Sequence, residues 1–177
     1  MLISILKLIV DAIAVLLGGA LLLRFWMQAI RVRPPSSVAQ FTFQLSDWLV
    51  RPLRRIVPGV GGYDWASLIG AFLIVLAATS VMFLIGWPAS AVLLAACQRF
   101  LEWILYGFMA LLVIEAIFSW VNPHAPLAPF VRALNEPLLR PIRRVVPLVG
   151  NLDLSLLVAL ILLQIAQLLL GVAFSSR

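Results

Sequence analysis

Two long stretches of this sequence lack any ionisable side chain. Residues 65–98 and 154–176 contain no Asp, Glu, Lys, Arg or His. Crossing the hydrocarbon core of a bilayer takes only about 20 apolar residues, so each stretch is long enough to span it. The whole chain agrees, because 64% hydrophobic residues, 11% charged residues and a mean hydropathy of +1.12 lie outside the usage of soluble domains. We therefore expect an integral membrane protein.

Two further apolar stretches bring the predicted number of spans to four. The N-terminal run reaches Leu23 without a basic segment before it, and arginines follow it, so we expect a retained helix rather than a cleaved signal peptide. The predicted fold is an all-α membrane protein with four transmembrane helices in two parallel tandem repeats, joined within each repeat by a loop with an amphipathic interfacial segment. The first repeat (1–88) has TM1 at about 2–30, a basic loop at 31–64 and TM2 at about 65–87. The second repeat (89–177) has TM3 at about 91–119, a basic loop at 120–153 and TM4 at about 154–174.

The repeat is visible when the sequence is aligned to itself with an offset of 89 residues. RPLRRIVPGVGGYD (51–64) then lies over RPIRRVVPLVGNLD (140–153), with nine of fourteen positions identical. Because each repeat has an even number of spans, both copies must enter the membrane in the same orientation, and both motif loops lie on one side.

Most of the positive charge is in or beside these two loops. The positive-inside rule therefore predicts a multi-pass protein of the bacterial cytoplasmic (inner) membrane, with the motif loops in the cytoplasm and both termini outside. Ten of the thirteen basic residues contribute: Arg24, Arg31, Arg33, Arg51, Arg54, Arg55, Arg132, Arg140, Arg143 and Arg144.

The stretch before each motif has the pattern of an amphipathic segment lying at the membrane interface. Its apolar residues in the first loop are Phe41, Leu45, Trp48, Leu49, Leu53 and Ile56. Pro52 and Pro141 each remove an amide donor, which predicts a break followed by a new helical turn that starts at the proline. Asp47 with Arg51, and Glu136 with Arg140, repeat an acid-to-base pair four residues apart.

Each motif ends in a proline, a glycine and an aspartate directly before the next apolar run. Pro58 or Pro147 is expected to end the segment, with a turn glycine at 61 or 150. Asp64 and Asp153 are the predicted helix caps, because a carboxylate there accepts hydrogen bonds from free amides and suits the positive helix end.

The arginines of the motif allow two interpretations. In the first, they set topology within a stop, a turn and a cap. In the second, they bind anionic lipid headgroups or an acidic segment of a partner protein, a role that favours arginine over lysine because arginine makes bidentate contacts. The residues concerned are Arg51, Arg54, Arg55, Arg140, Arg143 and Arg144.

A few polar residues are predicted inside the spans. Arg24 and Glu115 lie at similar depths, so they either pair with each other, or Arg24 extends to the interface while Glu115 is protonated or hydrated. Gln164 and Gln167 lie three residues apart and either form interhelical hydrogen bonds or line a conduction path, although the first repeat has no such stripe. Near the other ends of the spans, the spacing predicts pairs of Lys7 with Asp11 and of Arg99 with Glu102.

Nothing in the sequence indicates an enzyme, a cofactor or a metal site. One cysteine, Cys97, excludes an internal disulfide and a cysteine cluster, and one histidine, His124, excludes a His-pair site within the chain. The known hydrolase, metalloprotease and phosphate-loop motifs are absent. We expect a non-enzymatic protein without a cofactor.

Several segments together resemble the YggT family of small bacterial membrane proteins. They are the paired RP(L/I)RR(I/V)VP motifs, LLLRFWMQ, SWVNP and NEPLLRPIRR, and they cover nearly the whole chain. The resemblance implies a multi-span protein of the cytoplasmic membrane without an established enzyme activity, with family links to osmotic or extracytoplasmic stress and to cation uptake. Relatives are linked to cell division, the nucleoid or chloroplast cytochrome assembly. One departure is Ser67, since the second repeat has Ser155 one position earlier, closer to the family pattern.

The sequence is compatible with three functions. The first is a membrane factor in envelope or osmotic stress response or in assembly of a membrane complex, whose basic loops bind anionic lipid or a membrane-protein partner. The second is a small ion transporter or channel, which would need a homo-oligomer because four spans leave little room for a pore. The third, nucleic-acid binding, is disfavoured because the loops lack interleaved aromatic residues.

Overall fold

The computed structural model describes residues 2–57, 59–146 and 153–175, and helices dominate them. Among these residues the only β-pairing is an isolated bridge between Val60 and Tyr63. The predicted motif stops at Pro58 and Pro147 and the turn glycine at 150 lie outside the described residues, whereas Gly61 has the positive φ (70°) of a turn glycine. The helices are α1 (Leu2–Ala29), α2 (Ser36–Ile56), α3 (Trp65–Thr79) with a 3-10 extension (Ser80–Ile85), α4 (Ala89–Val121), α5 (Ala128–Arg143) and α6 (Leu154–Ser175).

Four helical segments are long and apolar enough to cross a membrane. They are Leu2–Ala29, Trp65–Ile85, Ala89–Val121 and Leu154–Phe174. The second of them changes from an α-helix to a 3-10 helix after Thr79, whose hydroxyl donates a hydrogen bond to the Val75 carbonyl. The prediction of an all-α, multi-pass membrane protein with four spans is confirmed at this level.

The two helices between the spans, α2 and α5, continue without interruption through their prolines. Pro52 lies inside α2, and Pro137 and Pro141 lie inside α5. The predicted break at Pro52 and Pro141 is therefore wrong. The reason is the placement of the prolines: all three are exposed, so their rings lie on the outer face of the helix and do not disturb its packing on the spans.

The chain forms two compact units, residues 1–103 and 104–177, with the boundary inside α4. In the first unit, α2 packs against α1 and α3 around a buried core of Leu21, Val50, Ala66 and Ala71. Gly70 of α3 faces α2 at close range, since a Cβ there would lie 3.4 Å from side-chain atoms of both Leu49 and Leu53.

In the second unit, α5 packs against α6, and the core consists of Leu112, Leu139, Leu156, Ala159 and Leu163. Leu139 and Val50 correspond under the 89-residue offset, and both are fully buried. The amphipathic helix of each unit therefore uses the same position to attach to its spans.

Some of the apolar residues predicted to share one face of α2 pack on the core, and the others are exposed. Leu49 and Leu53 pack on the core, whereas Phe41, Trp48 and Ile56 are exposed. Thr42, Ser46 and Val50 complete the inner face, because they follow one another at intervals of four residues. One side of α2 is thus fixed to the protein, and large apolar side chains on another side remain free.

Candidate functional site

Arg24 is the centre of a buried polar cluster in the first unit. It lies in α1 with only 6% of its surface exposed. Its Nη1 donates to Ser46 Oγ at 2.6 Å and to Asp47 Oδ1 at 2.7 Å, and its Nε lies 3.5 Å from Asp64 Oδ2. The guanidinium also lies over the Phe43 ring at 4.9 Å. These contacts join the first span to α2 and to the start of α3.

Asp64 is the second buried charge of this cluster, with 3% of its surface exposed. Arg54 binds it with two nitrogens, Nη2 to Oδ2 at 2.6 Å and Nε to Oδ1 at 3.2 Å, and the Ser67 hydroxyl donates to Oδ2 at 2.6 Å. Burial alone would raise the pKa of Asp64, but the hydrogen bonds from Arg54 and Ser67 and the charges of Arg54 and Arg24 outweigh it and hold this pKa below its usual value. The carboxylate therefore stays ionised although it is buried.

Asp47 is the more exposed acid of the cluster and accepts from two arginines. Arg51 Nη2 donates to its Oδ2 at 2.7 Å, as the four-residue spacing predicted, and Arg24 binds the other oxygen. The hydrogen bond from Arg24 is the main reason that the pKa of Asp47 lies below its usual value.

The second unit has its own cluster, centred on Glu115 of α4, which is 6% exposed. Asn135 is fully buried, and its Nδ2 donates to Glu115 Oε2 at 2.7 Å and to the Leu111 carbonyl at 2.9 Å. Arg143 contacts three carboxylates: its Nη1 lies 2.9 Å from Glu136 Oε2, and its Nη2 lies 2.9 Å from Asp153 Oδ2 and 3.5 Å from Glu115 Oε1. One guanidinium thus holds α4, α5 and the start of α6.

The two clusters correspond almost residue for residue. The offset of 89 residues carries Ser46, Asp47, Arg54 and Asp64 onto Asn135, Glu136, Arg143 and Asp153. The residue contributed by the long span is different in the two units. It is Arg24 in the first unit and Glu115 in the second, so the charge has the opposite sign and lies two positions away from the position that the offset predicts. Hereafter the first cluster is Arg24, Ser46, Asp47, Arg54 and Asp64, and the second cluster is Glu115, Asn135, Glu136, Arg143 and Asp153.

This difference gives the clusters different formal charges. The first has two arginines and two aspartates and is neutral, whereas the second has one arginine and three carboxylates and a formal charge of −2. Arg24 and Glu115, considered above as partners of each other, each bind residues of their own unit instead. The physical reason is that α2 and α5 bring complementary groups directly against them.

The two predicted caps behave differently. Asp153 caps α6, since its Oδ1 accepts the Ser155 amide at 3.0 Å. Asp64 occupies the N-cap position of α3 but makes no side-chain hydrogen bond to the helix backbone, because Arg54 and Ser67 occupy its oxygens. Burial alone would raise the pKa of Asp153, but the hydrogen bonds from Ser155 and Arg143 outweigh burial and hold this pKa below its usual value.

The six motif arginines separate into two groups. Arg54 and Arg143 bind aspartates of the clusters and lie at equivalent positions. Arg55, Arg140 and Arg144 are exposed and have no ion-pair partner among the described residues. Arg51 pairs only with Asp47 there, while its side chain stays 78% exposed. The predicted pair of Glu136 with Arg140 is therefore wrong, because Arg143 lies closer to Glu136. The first group, Arg54 and Arg143, connects helices although its side chains are 46% and 31% exposed, whereas the second group is available to a ligand.

The remaining polar residues of the spans differ from expectation in detail. Gln164 is exposed, and Gln167 has a buried Nε2 without a hydrogen-bond partner in the described part of the chain. Arg99 pairs with Asp11 at 2.8 Å rather than with Glu102, and Gln98 donates to Glu102 at 2.8 Å. The predicted pairs of Lys7 with Asp11 and of Arg99 with Glu102 are therefore wrong, because the facing helix supplies the closer partner.

Sequence reasoning did not identify Ser46 or Asn135 as members of these clusters, nor Ser67 as a hydrogen-bond donor to Asp64. Ser46 and Asn135 are equivalent under the offset, and each directly precedes the acid of an amphipathic segment. This equivalence was the feature of the sequence from which their shared role could have been predicted. Among the described residues, no group of three or more His, Cys, Asp or Glu side chains has the arrangement of a metal site.

Comparison with known proteins places this chain among relatives of similar length. The CCB3/YggT family model matches it twice, over residues 2–85 and 94–174. An uncharacterised protein in the proC 3′ region of Vibrio alginolyticus is 34% identical over 163 residues, covering 85% of this chain and 84% of the relative. The uncharacterised protein YggT of Escherichia coli K12 is 32% identical over 154 residues, covering 86% and 81%. No solved structure matches the chain. With its two matched segments, the chain belongs to the CCB3/YggT family.

Proposed function

We propose that this protein is a non-catalytic factor of the bacterial cytoplasmic membrane whose two amphipathic helices bind anionic lipid headgroups. In this proposal the motif loops face the cytoplasm and both termini lie outside, as the charge distribution favours. The single observation that carries it is the surface of α2, where exposed Arg51 and Arg55 lie on the same short helix as exposed Trp48 and Ile56.

The physical argument combines two contributions. Arginine guanidinium groups bind phosphate with two parallel hydrogen bonds, and each basic residue near an anionic surface contributes about 1 kcal/mol. Trp48 and Ile56, 58% and 79% exposed, would enter the boundary between headgroups and acyl chains, where amphipathic helices bury their apolar face. Arg140 and Arg144 give the second repeat the same basic character.

The clusters make this surface rigid. The bidentate pair of Arg54 and Asp64 and the contact of Arg24 with Asp47 connect α2 to the start of α3 and to α1. A helix that is already ordered loses little conformational entropy when it binds. Such a platform suits a protein that organises lipid or a membrane-protein partner during envelope or osmotic stress or complex assembly.

The test uses the exposed arginines and a matched control. Wild type and the variant R55Q/R140Q are reconstituted in nanodiscs that contain a minority of phosphatidylglycerol or cardiolipin in phosphatidylethanolamine, and the anionic lipid retained by each protein is measured by mass spectrometry. The control, R31Q/R33Q, removes the same charge from exposed arginines outside the two amphipathic helices. We expect the motif variant to lose most of the enrichment and the control to keep it. Equal loss in both would reduce the effect to net charge and refute the proposal.

Ion transport is a second candidate, and the second cluster favours it. Glu115 is buried within a span, and its cluster carries two negative charges in excess. Charged groups inside a membrane frequently mark ion pathways. Cation flux in proteoliposomes that Glu115→Gln abolishes would support transport and contradict the non-catalytic factor. Absence of flux in wild type would remove this candidate.

A further inference from the structure

A cavity in the first unit lies far from the motif and carries both signs of charge. Its volume is about 910 Å³, within the range of small-molecule sites. It is formed by the first turns of α1, the 3-10 extension after α3 and residues 95–102 of α4. The motif end of the unit, where α1 ends and α3 begins, is therefore at the opposite end of these helices. The polar lining consists of Ser4, Lys7, Asp11, Thr79, Gln98, Arg99 and Glu102.

The depth of the charges follows from two contacts between α1 and α4. Asp11 pairs with Arg99, and a Cβ at Gly18 would overlap the ring of Trp103. Residue numbers increase together along both helices, so the helices run parallel here. Lys7 then lies about 6 Å beyond the Asp11–Arg99 pair toward the N-terminal end, and Glu102 about 4.5 Å on the other side of it, at 1.5 Å per residue.

Two of these charges are not neutralised by the protein. Lys7 has no ion-pair partner among the described residues, and Glu102 accepts a hydrogen bond only from the neutral amide of Gln98 there. In addition, Asp11 Oδ1 is buried without a hydrogen bond, because Arg99 approaches it at 2.8 Å without the alignment of a hydrogen bond. The cavity thus has a cation without an ion-pair partner, Lys7, near one end and a carboxylate without one, Glu102, deeper inside, with the Asp11–Arg99 pair between them.

Apolar side chains form the rest of the wall. They are Ile3, Leu8, Val81, Met82, Ile85 and Trp87. A ligand with a large apolar part and opposite charges at its two ends matches this lining. A membrane phospholipid has the reverse order, since its amine lies farther out than its phosphate.

We infer that this cavity binds a small zwitterion of the size of a short peptide, with its ammonium group toward Glu102 and its carboxylate toward Lys7. The site is distinct from the arginine surface of α2, so it does not depend on the proposed lipid binding.

Calorimetric titration of the full-length protein in nanodiscs tests this assignment. The probes are trialanine, its N-acetylated form and its C-terminal amide, which remove one charge each. We expect trialanine to bind wild type, and each blocked form to bind at least about tenfold more weakly, as for the loss of one charge-assisted hydrogen bond. Equal affinity for all three probes, or no heat with trialanine, would overturn the inference.

Two variants connect the probes to individual residues. Glu102→Gln should abolish the discrimination between trialanine and its acetylated form, and Lys7→Gln the discrimination against the amide. Arg33→Gln, an exposed change at the other end of the unit, is the control and should leave all three affinities unchanged. Retained discrimination in both cavity variants, with unchanged thermal stability, would place the binding elsewhere and refute the assignment.

Discussion

Arg54 and Arg55 are adjacent and chemically identical, yet the structure gives them opposite roles. Arg54 makes two hydrogen bonds to the buried carboxylate of Asp64, whereas Arg55 is exposed and has no ion-pair partner among the described residues. Arg54→Gln leaves Asp64 with Ser67 and with Arg24 at 3.5 Å. Removing one partner of a buried pair costs about 3–5 kcal/mol. Since Arg54 is 46% exposed and Arg24 remains, we expect about 2–3 kcal/mol.

The assay is thermal unfolding in detergent micelles, followed by circular dichroism. At roughly 2–4 °C per kcal/mol for a chain of this size, Arg54→Gln should lower Tm by about 4–12 °C. Arg55→Gln changes the same residue type by one position and should stay within about 0.5 kcal/mol of wild type, because it breaks no internal contact. Equal destabilisation by the two variants would refute the assignment of Arg54 to the internal cluster.

Three further outcomes follow from the same contacts. The pKa of Asp64 is lower in the folded protein than its ordinary value of 3.8, so the charge of Asp64 stabilises the fold above that value and this stabilisation is lost as pH falls through the folded pKa. Tm should therefore fall in acid, and it should fall less steeply in Asp64→Asn. A parallel fall in both proteins would contradict this. Asp153→Ser should be about 1 kcal/mol more stable than Asp153→Ala, because serine can still accept the Ser155 amide, and equal Tm values would argue against the cap. Pro52→Ala should raise Tm slightly by restoring a helical hydrogen bond on an exposed face, whereas a decrease would show that α2 needs the proline.

The Arg54–Asp64 and Arg143–Asp153 pairs illustrate how far the sequence could be interpreted. The duplication identified both arginines and both aspartates as equivalent positions and assigned the aspartates to helix starts. It did not identify them as partners, because ten residues and a turn separate each pair. Each motif has three arginines within five residues, and nothing in the sequence distinguishes them as partners of the aspartate; the rotation of α2 and α5 about their axes selects Arg54 and Arg143.

The polar residues of the long spans show the same limit. The alignment placed Arg24 and Glu115 at similar depth and made pairing between repeats an obvious hypothesis. It contained no information on what the amphipathic helices bring against them. Ser46 and Asn135 supply the nearest hydrogen-bonding groups, and both lie about twenty residues from the charge that they bind.

The charge-free stretches by themselves determined the class of this protein. Length and hydropathy are local properties, so four spans, two repeats and two amphipathic segments follow from the sequence without reference to any contact. The tertiary structure decided which charges are internal, that α2 and α5 continue through their prolines, and that one cluster is neutral while the other carries an excess of two negative charges. These properties depend on side chains from separate helices meeting in a low-dielectric interior, where an ionised group is stable only beside its partner.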